Sequence, residues 1–317
     1  MKKVCAIVMA LCLLLAGLCP ALAEDKTYRI GICQLAPHPA LDAATKGFRD
    51  FLTEKLGDRV VFDEQNAAGE AATCMQIMNS FISEDVDLIM ANATASLQAA
   101  QSATGDIPIL GTAVTDYGVA LDLTCVDGKT GVNISGTSDL APLDQQAAMI
   151  KELLPEAKEV GLLYCSSEAN SAYQIEVMTQ ELTKLGFRCT EFAFSDSSDV
   201  TSMTSTACQN SDVIYVPTDN VVATCAEAIR NVAEVDRVPI IAGEEGACAG
   251  CGVATLSISY YELGRITGEM AFEVLCEGAD ISQMAIRYAP TTAKKYNAEL
   301  CAALSLTMPA DYEAIAQ

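Results

Sequence analysis

The residues of this chain best suited to chemistry are short polar side chains that sit just behind apolar runs. Gln34 follows the first run, Asn92 and Thr94 follow another, and Thr115 and Asp116 a third. In the second half, Glu168, Asn170 and Ser171, then Thr218, Asp219 and Asn220, then Glu244 hold equivalent places. In open parallel sheets, ligands gather at the carboxyl ends of the strands, so these positions face the expected crevice. Hydroxyls and amides that open a helix orient its free N–H groups, and such a terminus holds a carboxylate without a cationic side chain. Asp219 or Asp116 is placed to answer an ammonium. Each residue also has the plain reading of a helix cap, which its type alone satisfies. Taken together, the set suits a small zwitterion.

Other chemistries find little support. His38 is the one histidine, so paired-imidazole zinc sites are excluded. It lies between Pro37 and Pro39 with no strained G-x-S-x-G turn nearby, which favours a positional or ligand-contact role over general-base catalysis. Adjacent Glu244 and Glu245 do not point into one space as an acid/base pair would. No Walker loop, G-x-G-x-x-G or H-E-x-x-H is present. Cys248-Ala-Gly-Cys251 has the spacing of a redox or metal pair, but no second pair and no histidine lies near it. Buried or locally bridged thiols are its simpler reading. No catalytic residue, metal or cofactor is expected.

The elements that must position these loops alternate regularly. Strands are predicted at 28–33, 60–62, 86–90, 107–110 and 132–135, with helices at 41–56, 70–82, 94–104 and 142–154. The cycle repeats with strands at 160–164, 187–194, 213–216 and 238–242 and helices at 170–185, 201–209 and 221–233. Continuous apolar strands of this kind are buried on both faces, as parallel sheets flanked by helices require. The fold class is therefore α/β, with two doubly wound parallel-sheet lobes. We expect residues 24–137 plus about 252–282 in the first lobe, and 138–251 plus about 283–317 in the second. Several crossings between them would make a multi-strand hinge.

With 51% hydrophobic and 19% charged residues, the chain is globular, and its 317 residues exceed what one core usually organises. Its formal charge of −23 repels phosphate backbones, so nucleic-acid partners are excluded. Lys2 and Lys3 precede an apolar run at 4–19, and Ala21-Leu22-Ala23 supplies the small residues of a signal-peptidase site. Residues 1–23 are thus expected to be a signal peptide and the protein to be exported, to the periplasm or the outer face of the cytoplasmic membrane. Leu15 to Cys19 is a partial lipoprotein box, in which Leu18 stands where a small residue should precede the cysteine. Removing Cys5, Cys12 and Cys19 from the 14 cysteines leaves an odd number, so at least one thiol stays free.

Longer strings carry a resemblance. G-I-C-Q-L-A-P-H-P-A-L-D from Gly31, N-A-A-G-E from Asn66, D-L-I-M-A-N-A-T from Asp87, I-P-I-L-G-T-A-V-T-D from Ile107 and N-I-S-G-T-S-D from Asn133 run in order. L-L-Y-C-S-S-E-A-N-S from Leu162, Y-V-P-T-D-N from Tyr215 and Y-E-L-G from Tyr261 continue them. Over roughly residues 27–308 the chain resembles the substrate-binding proteins of tryptophan/tyrosine-type ABC importers. That resemblance implies a type I periplasmic-binding-protein fold, a ligand enclosed by hinge closure, and delivery to an ABC permease and its ATPase. It implies an amino acid ligand, possibly tryptophan, tyrosine or phenylalanine, and a monomeric carrier rather than an enzyme. Asn170 and Ser171 are then expected at the ligand carboxylate and Asp219 at the ammonium. Gln34, Asn92, Thr94, Thr115 and Asp116 would form the first-lobe wall, with Ser138, Asp139, Glu168, Thr218, Asn220 and Glu244 completing the site. Tyr117 replaces the usual proline after V-T-D, and we expect it near the cleft, stacked on a ring. Two other classes share the architecture: a sensor presenting its closed form to a membrane receptor, and a hydrolase using Glu244 or His38.

Overall fold

The computed structural model describes residues 26–316. The expected signal peptide, its cleavage point and Cys19 lie outside them. Among the described residues, no helix is long and apolar enough to cross a membrane.

Two sheets form. The first contains β1 (Tyr28–Gln34), β2 (Val60–Asn66), β3 (Leu88–Asn92), β4 (Ile109–Val114), β5 (Ile134–Ser138) and a late arrival, β11 (Arg287–Tyr288), in the order β11-β5-β4-β3-β1-β2. All its pairings are parallel. The second contains β6 (Glu159–Cys165), β7 (Arg188–Phe194), β8 (Val213–Val216), β9 (Ile240–Ala242), β10 (Ala254–Ile258), β12 (Thr292–Tyr296) and β13 (Glu313–Ala314), in the order β13-β12-β10-β9-β8-β6-β7. There β12 runs antiparallel to β10 and the other pairs are parallel.

The first lobe carries α1 (Pro39–Leu56), α2 (Ala71–Ser83), α3 (Thr94–Ala103) and α4 (Tyr117–Leu121). The second carries α5 (Leu143–Leu153), α6 (Ala169–Lys184), α7 (Val200–Asn210), α8 (Asn220–Thr224), α9 (Ala226–Asp236) and α10 (Glu245–Gly250). The chain then returns as α11 (Tyr260–Glu277) and ends with α12 (Ala298–Leu304). Each sheet is covered on both faces. In the first, Ile30, Ile32, Leu88 and Met90 meet Phe48, Leu52 and Met270 on one side. Cys33, Ile89 and Ala91 meet Met78, Phe81 and Leu97 on the other. This alternation is the period-two consequence of a strand buried on both faces.

Sheet membership corrects the expected boundaries. Residues 252–258 were assigned to the first lobe, yet Ala254–Ile258 pairs with β9 and belongs to the second sheet. A strand that follows α10 directly extends the sheet it has just left, and the chain crosses only afterwards, at 259. Residues 283–317 were assigned wholly to the second lobe, but Arg287–Tyr288 pairs with β5 in the first. Three segments therefore join the lobes, at 139–142, 259 and 289–291. The helix predicted at 221–233 is two helices, with Cys225 between them at φ −103°, ψ 11°.

α1 and α11 approach to backbone contact where Gly47 and Gly264 meet the partner helix. Pro39 starts α1 at a position where its missing N–H is harmless, and Ala40, Leu41, Ala44, Phe48, Leu52 and Leu56 form its buried stripe. A Cβ on Gly47 would stand 2.0 Å from the Tyr261 carbonyl oxygen, and one on Gly264 2.0 Å from that of Ala44. Backbone cannot yield as a flexible side chain does, so overpacking here costs roughly 1–3 kcal/mol or more. Gly264→Ala is expected to lower the free energy of unfolding by that amount, read as a lower denaturant midpoint with an unchanged slope. Gly105→Ala, whose Cβ would meet nothing within 4 Å, leaves the free energy of unfolding within about 0.5 kcal/mol of wild type.

Candidate functional site

In each sheet the strand order reverses direction of travel around the first strand of the lobe, between β1 and β3 and between β6 and β8. The carboxyl ends at such a switch point open a crevice. Here the two crevices face each other, and their loops enclose a cavity of about 10 Å³, room for about one water. Its wall takes His38 and Leu41 from the start of α1, and Ala113 and Thr115 from the end of β4. Asn170, Thr218, Asp219, Asn220 and Ala223 come from the second lobe, with Asp139, Glu244 and Tyr260 beside the crossings. Glu244 and Tyr260 also line a second cavity of about 480 Å³, walled by Pro39, Ala40, Ala43 and Ile258 among others.

Three carboxyl groups share the small cavity, and among the described residues no lysine or arginine lines it. Asp139 accepts hydrogen bonds from the Thr115 hydroxyl at 3.0 Å and the Tyr260 hydroxyl at 3.0 Å. Asp219 caps α8 through the Val222 N–H at 2.8 Å and takes the Cys165 N–H at 2.7 Å. Glu244 caps α10 through the N–H groups of Gly246 and Ala247. All three side chains are buried. Burial disfavours the charged form and pushes Asp139 up to about 6 and Glu244 to about 7. Asp219 is also raised to about 7, by burial first and then by the nearby Glu168. The cap bonds pull the other way and are outweighed.

Among the described residues, two side-chain hydrogen bonds cross the cleft. His38 Nε2 meets Asn220 Oδ1 at 3.2 Å, and the Gln174 amide reaches the Thr115 hydroxyl at 3.4 Å. Glu168 lies behind the second-lobe wall, accepting from Asn170 Nδ2 at 3.1 Å and from the Asn220 backbone N–H and Nδ2 at 3.0 Å each. It holds two wall amides in place rather than facing the cavity. Fully buried Ser171 sits beside it, donating at 3.5 Å.

Several expected wall residues lie elsewhere. β3 runs on to Asn92, so this side chain is inside the lobe, where it donates to the Leu41 carbonyl and the Thr45 hydroxyl, each at 2.9 Å. Thr45 in turn donates to Gln34 Oε1 at 2.6 Å. Gln34 and Asn92 therefore anchor α1 to the sheet. Thr94 is buried in the first turn of α3, away from the cavity wall. Asp116 serves as the cap of α4, accepting from the Val119 N–H at 2.8 Å. Ser138, the last residue of β5, donates to the Thr115 carbonyl at 2.7 Å and fixes the loop that bears Thr115. Tyr117 is not at the cleft. It turns back under the sheet, where its hydroxyl donates to the Thr137 carbonyl at 3.1 Å and a Cβ on Gly111 would stand 2.5 Å from it. Two glycines, Gly111 and Gly136, make the space that a ring at this position fills.

Sequence reasoning missed Gln174 and Tyr260. Gln174 lies one turn after Asn170 on α6, so the i, i+4 spacing was available as a signal. Tyr260 gave none, because its place depends on the chain crossing at 259. Ala113 adopts φ 52° where the β4–β5 register shifts, a bulge of the kind that re-aims the next side chains. Cys248 and Cys251 are both buried, their thiols donating to the Gly252 and Ala247 carbonyls. Burial raises Cys248 well above the usual thiol range and Cys251 to about 12, which leaves neither a nucleophile.

The sequence profile of the ABC transporter substrate binding proteins matches residues 29–310. The chain belongs to this family. Its members are substrate-binding proteins that work with a membrane permease and an ATPase, outside the cytoplasm, and are not enzymes. A "Tyrosine-binding protein" of Clostridioides difficile is 40% identical over 266 residues, covering 83% of this chain and 76% of that one. The ABC domain of a Streptococcus pneumonia protein in complex with L-Trp superposes with a TM-score of 0.87 at 30% identity, over 92% of this chain and 100% of that one. The ligand-free, open structure of a Clostridium difficile substrate-binding protein with adhesive properties reaches only 0.71 at 37% identity, over 91% and 99%. A leucine binding protein from Thermotoga maritima, 17% identical with a TM-score of 0.58 over 80% of this chain and 83% of that one, shares the type I periplasmic-binding-protein fold.

The raised carboxyls fix a sign for the pH dependence of this binding protein. Asp139 holds its proton more tightly in the fold than in the unfolded chain, so between pH 4 and 6 the folded state carries more protons. Stability from this group therefore falls as pH rises through that window. Asp139→Asn keeps both hydroxyl partners, which can rotate to suit an amide. It is expected to flatten the stability curve between pH 4 and 6 by about 1–3 kcal/mol relative to wild type in urea titrations.

Proposed function

We propose that this chain is an exported carrier for an aromatic amino acid, tyrosine or tryptophan, which it encloses between its lobes and presents to an ABC permease. The observation that carries this reading is the trio of buried carboxyl groups on a cavity wall that lacks any cationic side chain. Such a wall is completed by an ammonium, which forms charge-assisted hydrogen bonds roughly twice as strong as neutral ones. Asp219, Asp139 and Glu244 receive the ammonium. The amino end of α6, which Asn170 braces by donating to the Thr218 carbonyl at 3.1 Å, receives the carboxylate, since a helix N-terminus favours negative charge. The ring extends toward the 480 Å³ cavity that shares Glu244 and Tyr260, a volume within the range of small-molecule pockets. Thr115, Thr218 and Asn220 line the remainder. The names of the similar proteins, one tyrosine-binding and one holding L-Trp, support the aromatic class.

Closure follows from contacts on both walls. A ligand that touches both lobes favours the closed arrangement by its differential affinity for it, and the segments at 139–142, 259 and 289–291 bend as the hinge.

Tyrosine or tryptophan in hundredfold excess over its dissociation constant is expected to stabilise the fold by about 2.7 kcal/mol, read as a raised melting temperature, while sugars leave it unchanged. Asp219→Asn retains a capping residue and loses the charge; it is expected to weaken tyrosine binding about a hundredfold in calorimetry. A shift produced by a sugar alone, or undiminished affinity in Asp219→Asn, refutes the assignment.

A further inference from the structure

His38 carries an unused hydrogen-bonding atom on the cavity wall. Its side chain is 7% exposed, and Nδ1 has no partner. The state of that atom follows from a chain of contacts. Asn220 Nδ2 donates to Glu168, an acceptor, which fixes the orientation of the amide and leaves Oδ1 pointing across the cleft. An amide oxygen only accepts, so His38 Nε2 carries the proton in that bond. Burial keeps the imidazole neutral by lowering its pKa. Nδ1 is then a bare, buried acceptor on a residue that lines a cavity shared with three carboxyl groups.

An ammonium is taken by the carboxylates in preference to a neutral imidazole. The acceptor at Nδ1 is left for a second, uncharged donor. His38 lines the small cavity and the next two residues, Pro39 and Ala40, line the larger one, so the start of α1 borders both spaces. Resting on the aromatic amino acid reading above, we propose that His38 is a specificity-determining residue whose Nδ1 accepts the phenol O–H of tyrosine or the indole N–H of tryptophan. Asn220 and Glu168 are positioning residues that set the tautomer. Phenylalanine has no such donor and leaves Nδ1 buried and unpaired, a loss of about 10- to 100-fold in affinity.

The test is calorimetric titration of tyrosine, tryptophan and phenylalanine into wild type and His38→Leu. Wild type is expected to bind tyrosine about 10- to 100-fold more tightly than phenylalanine, and His38→Leu to bring the two within about threefold, chiefly by weakening tyrosine. An unchanged ratio overturns the proposal. So does equal weakening of all three, which would give Nδ1 to the ammonium. Because His38 is the one histidine in the sequence, ¹⁵N-histidine NMR reads the same atom without any substitution. An Nε2–H tautomer whose Nδ1 signal moves with tyrosine and tryptophan but not with phenylalanine supports the proposal. An Nδ1–H tautomer in the free protein overturns it while leaving the amino acid reading intact. Failure of all three amino acids to bind overturns both.

Discussion

Carboxyl groups withdrawn from water without a cation are the constraint around which this molecule is organised. Asp139, Asp219 and Glu244 each have two hydrogen-bond donors, and every one of those donors is neutral. Neutral partners make burial tolerable but leave the charge uncompensated, which is why all three carboxyls are raised above the usual carboxylate range. A fold selected only for stability would replace such a cluster with apolar side chains. The cluster stands at the meeting point of the two lobes, where the ammonium proposed above would complete it.

The rest of the architecture serves that meeting point. Two of the acids cap helices at the ends of parallel strands, so their positions follow from the sheet order and not from loop conformation. The third stands on the first crossing and is tied to Tyr260, the residue just after the second. A change in the charge of Asp139 is thus felt by two of the three segments that join the lobes. Behind the wall, neutral side chains hold the loops: Gln34, Thr45 and Asn92 for α1, Ser138 for the Thr115 loop, and Glu168 for the two second-lobe amides.

Much of this was legible in the sequence, and the limits are physical. Apolar runs of strand length separated by amphipathic helices specified two parallel-sheet lobes, because a strand buried on both faces leaves no other pattern. The polar residues after β4, β6, β8 and β9 were found by the rule that crevices open at strand ends, and Thr115, Asn170, Asp219 and Glu244 do line the cavity. Asn92 was misplaced because β3 continues two residues past its apolar run, which carries the amide into the lobe. Tyr117 was misplaced because nothing local announces that glycines on two neighbouring strands leave room beneath it. Residues 252–258 were misassigned because a short helix, α10, delivers the chain back to its own sheet, and six residues around two glycines carry too little periodicity to read as a helix.

The contact between α1 and α11 also governs the order in which the molecule can be made. α1 is among the first elements to be synthesised, and the helix that covers it arrives more than two hundred residues later, after most of the second lobe. Until then Phe48 and Leu52 lack Met270 and Ala271, and one face of the first sheet stays open. A nascent chain of this design cannot finish its amino-terminal lobe before most of its second lobe has been made, whereas independent domains complete one at a time. Loop closure over so long a separation is entropically slow, and it delays the final core until nearly the whole polypeptide is available.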